Sequence, residues 1–140
     1  CCLKYMVKVD IKADSKFPVD RKAIRKRIVA VLEQKGLSEE DKVYVSVSII
    51  GDRKMRVINR TYRQKDYATD VLSFPTHDPS QKIEEYGFFQ EGDEGLVLGD
   101  IIVSYPQAVV KASEKNKLLD EIVCELVEHG LLHLLGIHHD

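Results

Sequence analysis

What this 140-residue sequence lacks excludes several classes of protein. It has only three cysteines, two of them adjacent at the first two positions, which do not make a disulfide framework. No apolar run approaches the roughly 18 residues that a membrane-spanning helix needs, and no secretory signal pattern is present. We therefore predict a cytoplasmic protein with a reducing environment and no membrane partner.

A dominant charge of one sign is also missing, because the formal net charge is only −2. Charge is instead segregated along the chain. The stretch 53–65 contains six basic residues and no acidic residue, whereas 83–95 contains five acidic residues and no basic residue. Many charged helix faces are simply solvated, but a basic strip within a near-neutral protein is typical of a phosphate-binding surface.

Hydrophobic periodicity predicts one α+β domain over residues 1–140, with a mixed sheet of about four strands packed by helices. The predicted strands are 5–11, 43–50, 69–74 and 96–104. The predicted helices are 18–35, a short helix that Asp52 caps, 106–115 and 118–135. We expect Asp20 to cap the first helix and Gly36 to end it. Residues 76–95 have no period and are predicted to form a long loop.

Three histidines near the end of the sequence have the spacing of a metal site. His129 and His133 are four residues apart, so they lie one turn apart on one face of the last predicted helix. Gly136 allows this helix to end through a left-handed residue, and the chain can then return His139 to the same point. Three imidazoles leave the fourth tetrahedral position of one Zn²⁺ ion open, as in catalytic sites, although nickel or copper would also accept these ligands. We expect His138 to point elsewhere.

The same histidine spacing matches the metalloprotease motif H-E-x-x-H-x-x-G-x-x-H, in which the glutamate is the general base. Gly130 stands where that glutamate would be. Glu128 does not replace it, because on a helix it lies about 100° around the axis from His129 and about 200° from position 130. Hydrolysis at a metal is therefore the prediction, and a metalloprotease without its usual base is an alternative.

Three blocks of the sequence resemble the YbeY family, metal-dependent endoribonucleases of ribosomal RNA maturation. The blocks are HGLLHLLGIHH at 129–139, NRTYR and ATDVLSFP within 59–75, and LGDIIV at 98–103. The resemblance implies a zincin-like fold with its metal helix near the C-terminus. It also implies a single-strand-preferring endoribonuclease, acting in small-subunit rRNA maturation and ribosome quality control, with the small ribosomal subunit and its assembly factors as partners. His138 and Asp70 depart from the pattern, since the family commonly has aspartate and asparagine there.

The central block also contains candidates for contacting RNA. Negative charge develops when RNA is cleaved, and a guanidinium that meets two phosphate oxygens would stabilise it, which favours Arg63 as a catalytic residue. The resemblance selects the same residue. The other interpretation is that Arg63 merely pairs with Asp66 or Asp70. The further substrate-binding candidates are Arg60, Thr69 and Ser73.

Two questions stay open at the level of the sequence. Asp100 lies toward the end of the predicted buried strand 96–104, and it either orients a histidine ligand or caps the next element. No residue stands out as a general base, a role that metal-bound hydroxide or the ribose 2′-OH could take. A non-catalytic ribosome-assembly factor with a vestigial or structural metal is a third hypothesis, because no sequence feature excludes it.

Overall fold

A computed structural model describes residues 6–36, 42–76 and 96–136 of the chain. The strands in these ranges are β1 (Met6–Ala13), β2 (Lys42–Ile50), β3 (Val71–Pro75) and β4 (Leu96–Ser104). The helices are α1 (Arg21–Gln34), α2 (Asp52–Arg63), α3 (Tyr105–Lys115) and α4 (Leu119–Leu134). The predicted α+β architecture is confirmed, whereas the predicted loop lies outside the described residues except for Thr76. None of the described helices combines the length and apolarity needed to cross a membrane.

The four strands form one mixed sheet in the order β1-β2-β4-β3. β1, β2 and β4 run parallel, and β3 is antiparallel to β4. Val45 and Val47 of the central strand β2 are completely buried, in one core with Ile28 of α1 and with Leu131 and Leu134 of α4. Burial of each such side chain contributes about 2 kcal/mol. This core anchors α4, the helix that carries the paired histidines, on β3 and β4.

Three predicted helix ends are confirmed. The Asp20 side chain accepts a hydrogen bond from the backbone N–H of Ala23 at 3.1 Å, so it satisfies one of the unpaired donors at the start of α1. Gly36 follows α1 with φ of +90°, and Gly136 follows α4 with φ of +84°. Both glycines therefore end their helices in the left-handed region that other residues disfavour.

The predicted cap of α2 was wrong. Gly51 is the N-cap, and Asp52 is the first helical residue. The Asp52 carboxylate instead accepts hydrogen bonds from Ser104 Oγ at 2.7 Å and from Gln107 Nε2 at 3.2 Å. Because these partners lie at the start of α3, the carboxylate serves a tertiary contact that local sequence does not reveal.

The third strand was also misplaced by the sequence pattern. β3 begins at Val71, two residues later than predicted, and it includes Pro75, which was expected to stop it. Pro75 pairs with Gly99 of β4. Proline is tolerated here because β3 is an edge strand of the described sheet, so its missing N–H interrupts no second ladder.

Candidate functional site

An open cleft of about 530 Å³ lies where β3, α3 and α4 meet the end of α2. Three of the four predicted RNA-contacting residues and two of the three predicted metal ligands line it. These residues are Arg63, Thr69, Ser73, His129 and His133. The third predicted ligand, His139, lies outside the described residues. The fold thus brings two segments that are distant in the sequence to one surface.

The two described histidines lie side by side on α4. Their ring centroids are 4.5 Å apart, and both rings line the cleft. His129 is exposed and His133 is half-buried. Within the three described ranges, no three side chains of His, Cys, Asp or Glu converge to hold a metal ion. Two adjacent imidazole donors fit a Zn²⁺-like ion, and the remaining protein ligand would have to come from beyond these ranges.

The glycine between the histidines lets α4 lie close to the sheet. A Cβ at Gly130 would be 2.8 Å from Cγ2 of Ile101 and 3.5 Å from Cγ2 of Val71. The glutamate of the protease motif therefore cannot enter without moving Ile101, which is completely buried. Glu128 accepts a hydrogen bond from Arg27 of α1 at 2.6 Å, so it is engaged away from the cleft. Neither position supplies the base that a metalloprotease needs.

Arg63 ends α2 at the cleft, where β3 holds its side chain. Its Nη2 donates a hydrogen bond to the carbonyl oxygen of Ser73 at 2.9 Å, and its guanidinium carbon is 5.3 Å from the Phe74 ring centroid. A guanidinium has five N–H donors, so this contact orients the group and leaves most of its donors for a ligand. The exposed side chain of Arg63 is therefore positioned to meet an anion in the cleft.

The carboxylates that were considered as partners of Arg63 are bound by other cations. Arg56 donates to both oxygens of Asp66 at 2.8 and 3.1 Å, and these bonds hold the pKa of Asp66 below its usual value. Arg60 Nη1 lies 3.6 Å from Asp66 Oδ1. Asp70 pairs with Lys111. Arg60 differs from the other RNA-contacting candidates, because its side chain does not line the cleft.

Sequence reasoning missed several charged residues of the cleft. Lys111, Lys115 and Glu125 line it together with Asp70. Hydrogen bonding from Lys117 lowers the pKa of Glu125, so this carboxyl stays ionised at neutral pH and is a poor proton donor. The spacing of Lys111 and Lys115 placed both on one face of α3, but only the packing of α3 beside α4 shows that this face borders the cleft.

Two further residues with possible ligand roles lie elsewhere. Asp100 is exposed in β4, and it does not cap α3, because Ser104 is the N-cap of that helix. Cys124 is only 6% exposed in the core, where burial raises the pKa of its thiol. Cys124 packs in the core and does not line the cleft that holds His129 and His133.

The fold and the cleft together define an α+β domain in which a histidine-bearing helix and cationic side chains face one open site. A family model described as endoribonuclease YbeY matches residues 10–140, and the chain belongs to this family.

Several curated relatives carry the same description. One from Cellvibrio japonicus is 35% identical over 136 residues, covering 97% of this chain and 69% of the relative. One from an Anaeromyxobacter species is 33% identical over 133 residues, covering 93% of this chain and 62% of the relative. One from Aquifex aeolicus is 41% identical over 98 residues, covering 70% of this chain and 57% of the relative. The chain thus spans between 57% and 69% of the length of these relatives.

The fold is also similar to the solution structure of a Thermotoga maritima protein. The TM-score is 0.57, and the match covers 94% of this chain and 75% of that protein at 22% sequence identity. This likeness concerns the fold alone.

Proposed function

We propose that this chain is an endoribonuclease that cleaves single-stranded RNA in the cleft between α3, α4 and β3. The observation that carries the proposal is the convergence of Arg63 with His129 and His133 on one open surface. Membership of a family whose relatives are described as endoribonucleases supports it. The proposed setting is small-subunit rRNA maturation and ribosome quality control in the cytoplasm, with the small ribosomal subunit and its assembly factors as partners.

The side chains of the cleft suit a phosphodiester substrate. Arg63 would bind two phosphate oxygens and stabilise the charge that develops on them during cleavage. The hydroxyls of Thr69 and Ser73 would donate hydrogen bonds to phosphate or ribose oxygens. Arg60, which lies outside the cleft, would meet only a strand that continues along α2.

A divalent metal ion completes the proposed site, with zinc as the first candidate. His129 and His133 would hold it, together with His139. When bound, the ion supplies Lewis acidity that polarises a phosphoryl oxygen. Arg63 would orient the phosphate, and the close packing of α4 against the sheet fixes the positions of the histidines.

A comparison of RNA with a peptide substrate tests the proposed reaction. We expect the wild-type chain to cut a single-stranded RNA oligonucleotide, to cut double-stranded RNA poorly and to leave casein intact. His129→Ala should abolish RNA cleavage. A flexible strand can splay its phosphates into the cleft, whereas a duplex cannot. Casein cleavage without RNA cleavage would favour the protease alternative, and ribosomal association without any cleavage would favour the assembly factor.

The role of Arg63 can be separated from folding. Arg63→Glu should abolish RNA cleavage and shift the melting temperature by only a few degrees, because an exposed substitution changes stability by about 0.5 kcal/mol. Arg63→Lys should lose part of the activity, since an ammonium cannot make the bidentate contact. Arg25→Glu, which reverses an exposed arginine of α1, is the matched control and should leave cleavage unchanged. A large fall in melting temperature for Arg63→Glu but not for Arg25→Glu would show that Arg63 has a structural role.

A further inference from the structure

One ion pair inside the cleft is not used by the proposed reaction. Lys111 Nζ lies 2.6 Å from Oδ2 of Asp70, and the two side chains are 36% and 29% exposed. The other carboxylate oxygen, Oδ1, lies 3.5 Å from the hydroxyl of Thr69. The backbone of Asp70 is fixed, because its carbonyl accepts a hydrogen bond from Ser104 N–H at 2.9 Å. A carboxylate is therefore held between an ammonium and a hydroxyl.

The Lys111 ammonium and the Thr69 hydroxyl are donors that also bind phosphate groups. Like a carboxylate, a phosphate presents anionic oxygens that accept charge-assisted hydrogen bonds from lysine and ordinary ones from hydroxyls. Lys115 lies one helical turn beyond Lys111, also lines the cleft, and forms no ion pair within the described part of the chain. The α3 wall thus presents two cations, and Arg63 stands at the end of α2 on the same cleft.

We propose that Lys111 and Lys115 form a second phosphate-binding subsite of the cleft, and that the Asp70 carboxylate occupies it until an RNA phosphate displaces it. The inference rests on the proposed RNA substrate. The subsite takes a phosphodiester of the strand other than the one that Arg63 contacts. Asp70 is an internal competitor, because Lys111 must leave its carboxylate before it can pair with the phosphate.

If Asp70 competes with RNA for Lys111, removing the Asp70 charge should raise the affinity for RNA. Removing a carboxylate from an ion pair that serves only the fold should not. Asp70→Asn preserves the size of the side chain and removes the charge that holds Lys111. RNA affinity should therefore rise, although a native ion pair has been lost. Each phosphate neutralised on a single strand contributes a slope of roughly −0.7 to the dependence of log affinity on log salt. This corresponds to about a fivefold change in affinity for each tenfold change in salt.

The experiment measures binding rather than cleavage. All variants are made in the His129→Ala background, and a labelled single-stranded RNA oligonucleotide is titrated across a salt series with its length checked afterwards. Asp70→Asn should bind more tightly at low salt, and Lys111→Met should bind more weakly, with a salt slope shallower by up to about 0.7. The deficit of Lys111→Met should therefore shrink by up to about fivefold over a tenfold rise in salt. Methionine keeps the packing of the lysine stem. In the Lys111→Met background, Asp70→Asn should give no gain.

Lys12→Met is the matched control. Lys12 Nζ lies 3.9 Å from Asp10 Oδ2 in β1, and neither residue lines the cleft. Its loss removes the same charge and one ion pair without leaving an unpaired carboxylate in the cleft, and it should change RNA affinity less than twofold if the effect of Lys111 is local. Equal losses for Lys111→Met and Lys12→Met would overturn the subsite, because general electrostatics would then account for both.

The outcomes separate the subsite from the proposed function. An Asp70→Asn gain that persists without Lys111, or a loss of affinity in Asp70→Asn, overturns the subsite even if the wild type cleaves RNA. RNA binding with the expected Lys111 and Asp70 pattern but without wild-type cleavage supports the subsite and contradicts the nuclease. Absence of RNA binding overturns both. Unchanged melting temperatures show that the variants are folded.

Discussion

Replacing His133 by alanine should reduce the metal content of the purified chain from about one ion to near none. RNA cleavage should fall at least about 100-fold, because even loss of a supporting group around a metal costs 10- to 100-fold. His133 lies one turn from His129 on the cleft surface, so its removal leaves at most one described donor. Elemental analysis of both proteins and RNA cleavage with and without a chelator provide the measurements.

His77→Ala is the control for the metal experiment, because His77 is the one histidine of the sequence that lies outside the C-terminal group. It should retain the metal and the activity. Equal metal in the wild type and in His133→Ala would contradict the ligand assignment. Loss of metal without loss of cleavage would show that the ion is structural, and the role of Arg63 would then have to be explained without it.

Gly99→Ala should be the most destabilising of the substitutions considered, by about 3 kcal/mol. Gly99 has φ of +141°, and an added Cβ would overlap the carbonyl oxygen of Phe74 and lie 2.9 Å from Cα of Pro75. The glycine follows an irregularity in the β2–β4 ladder, where Tyr44 pairs with Val97 but Val45 pairs with Gly99. The obstacle is backbone, so no side-chain rotation relieves it. Thermal unfolding should show a fall of roughly 10 °C in melting temperature.

Gly36→Ala separates the two causes of that loss. Gly36 also has a positive φ of +90°, but nothing lies within 4 Å of an added Cβ. Only backbone strain is introduced there, and the expected cost is about 1 kcal/mol. Equal melting temperatures for the two variants would show that the close approach of β3 to β4 can relax, and that the contact with Phe74 does not limit the fold.

The features that the sequence predicted are local. An i, i+4 pair of histidines shares a helix face wherever the helix packs, and alternation of β-branched residues specifies a strand such as β2 without knowledge of its neighbours. Asp20 is also a local case, because its side chain bonds to a backbone group three residues away. These elements could be placed before any tertiary contact was known.

The features that the sequence did not predict depend on contacts between distant segments. Asp52 is of a residue type that commonly caps helices, but its carboxylate accepts hydrogen bonds from Ser104 and Gln107 instead. The ion pair of Asp70 with Lys111 joins residues 41 positions apart, and the local sequence around either residue does not indicate its partner. Pro75 is compatible with a strand only because that strand lies at an edge. Knowledge of the strand order was needed in each such case.

The close approach of α4 to β4 at Gly130 has an evolutionary consequence. A glutamate introduced at residue 130 alone would displace the completely buried Ile101, at a cost in stability of about 1–3 kcal/mol. A smaller side chain at residue 101 would make room for it, but that change alone would leave a cavity that also costs stability. Either order of the two substitutions toward the metalloprotease motif therefore passes through a less stable intermediate.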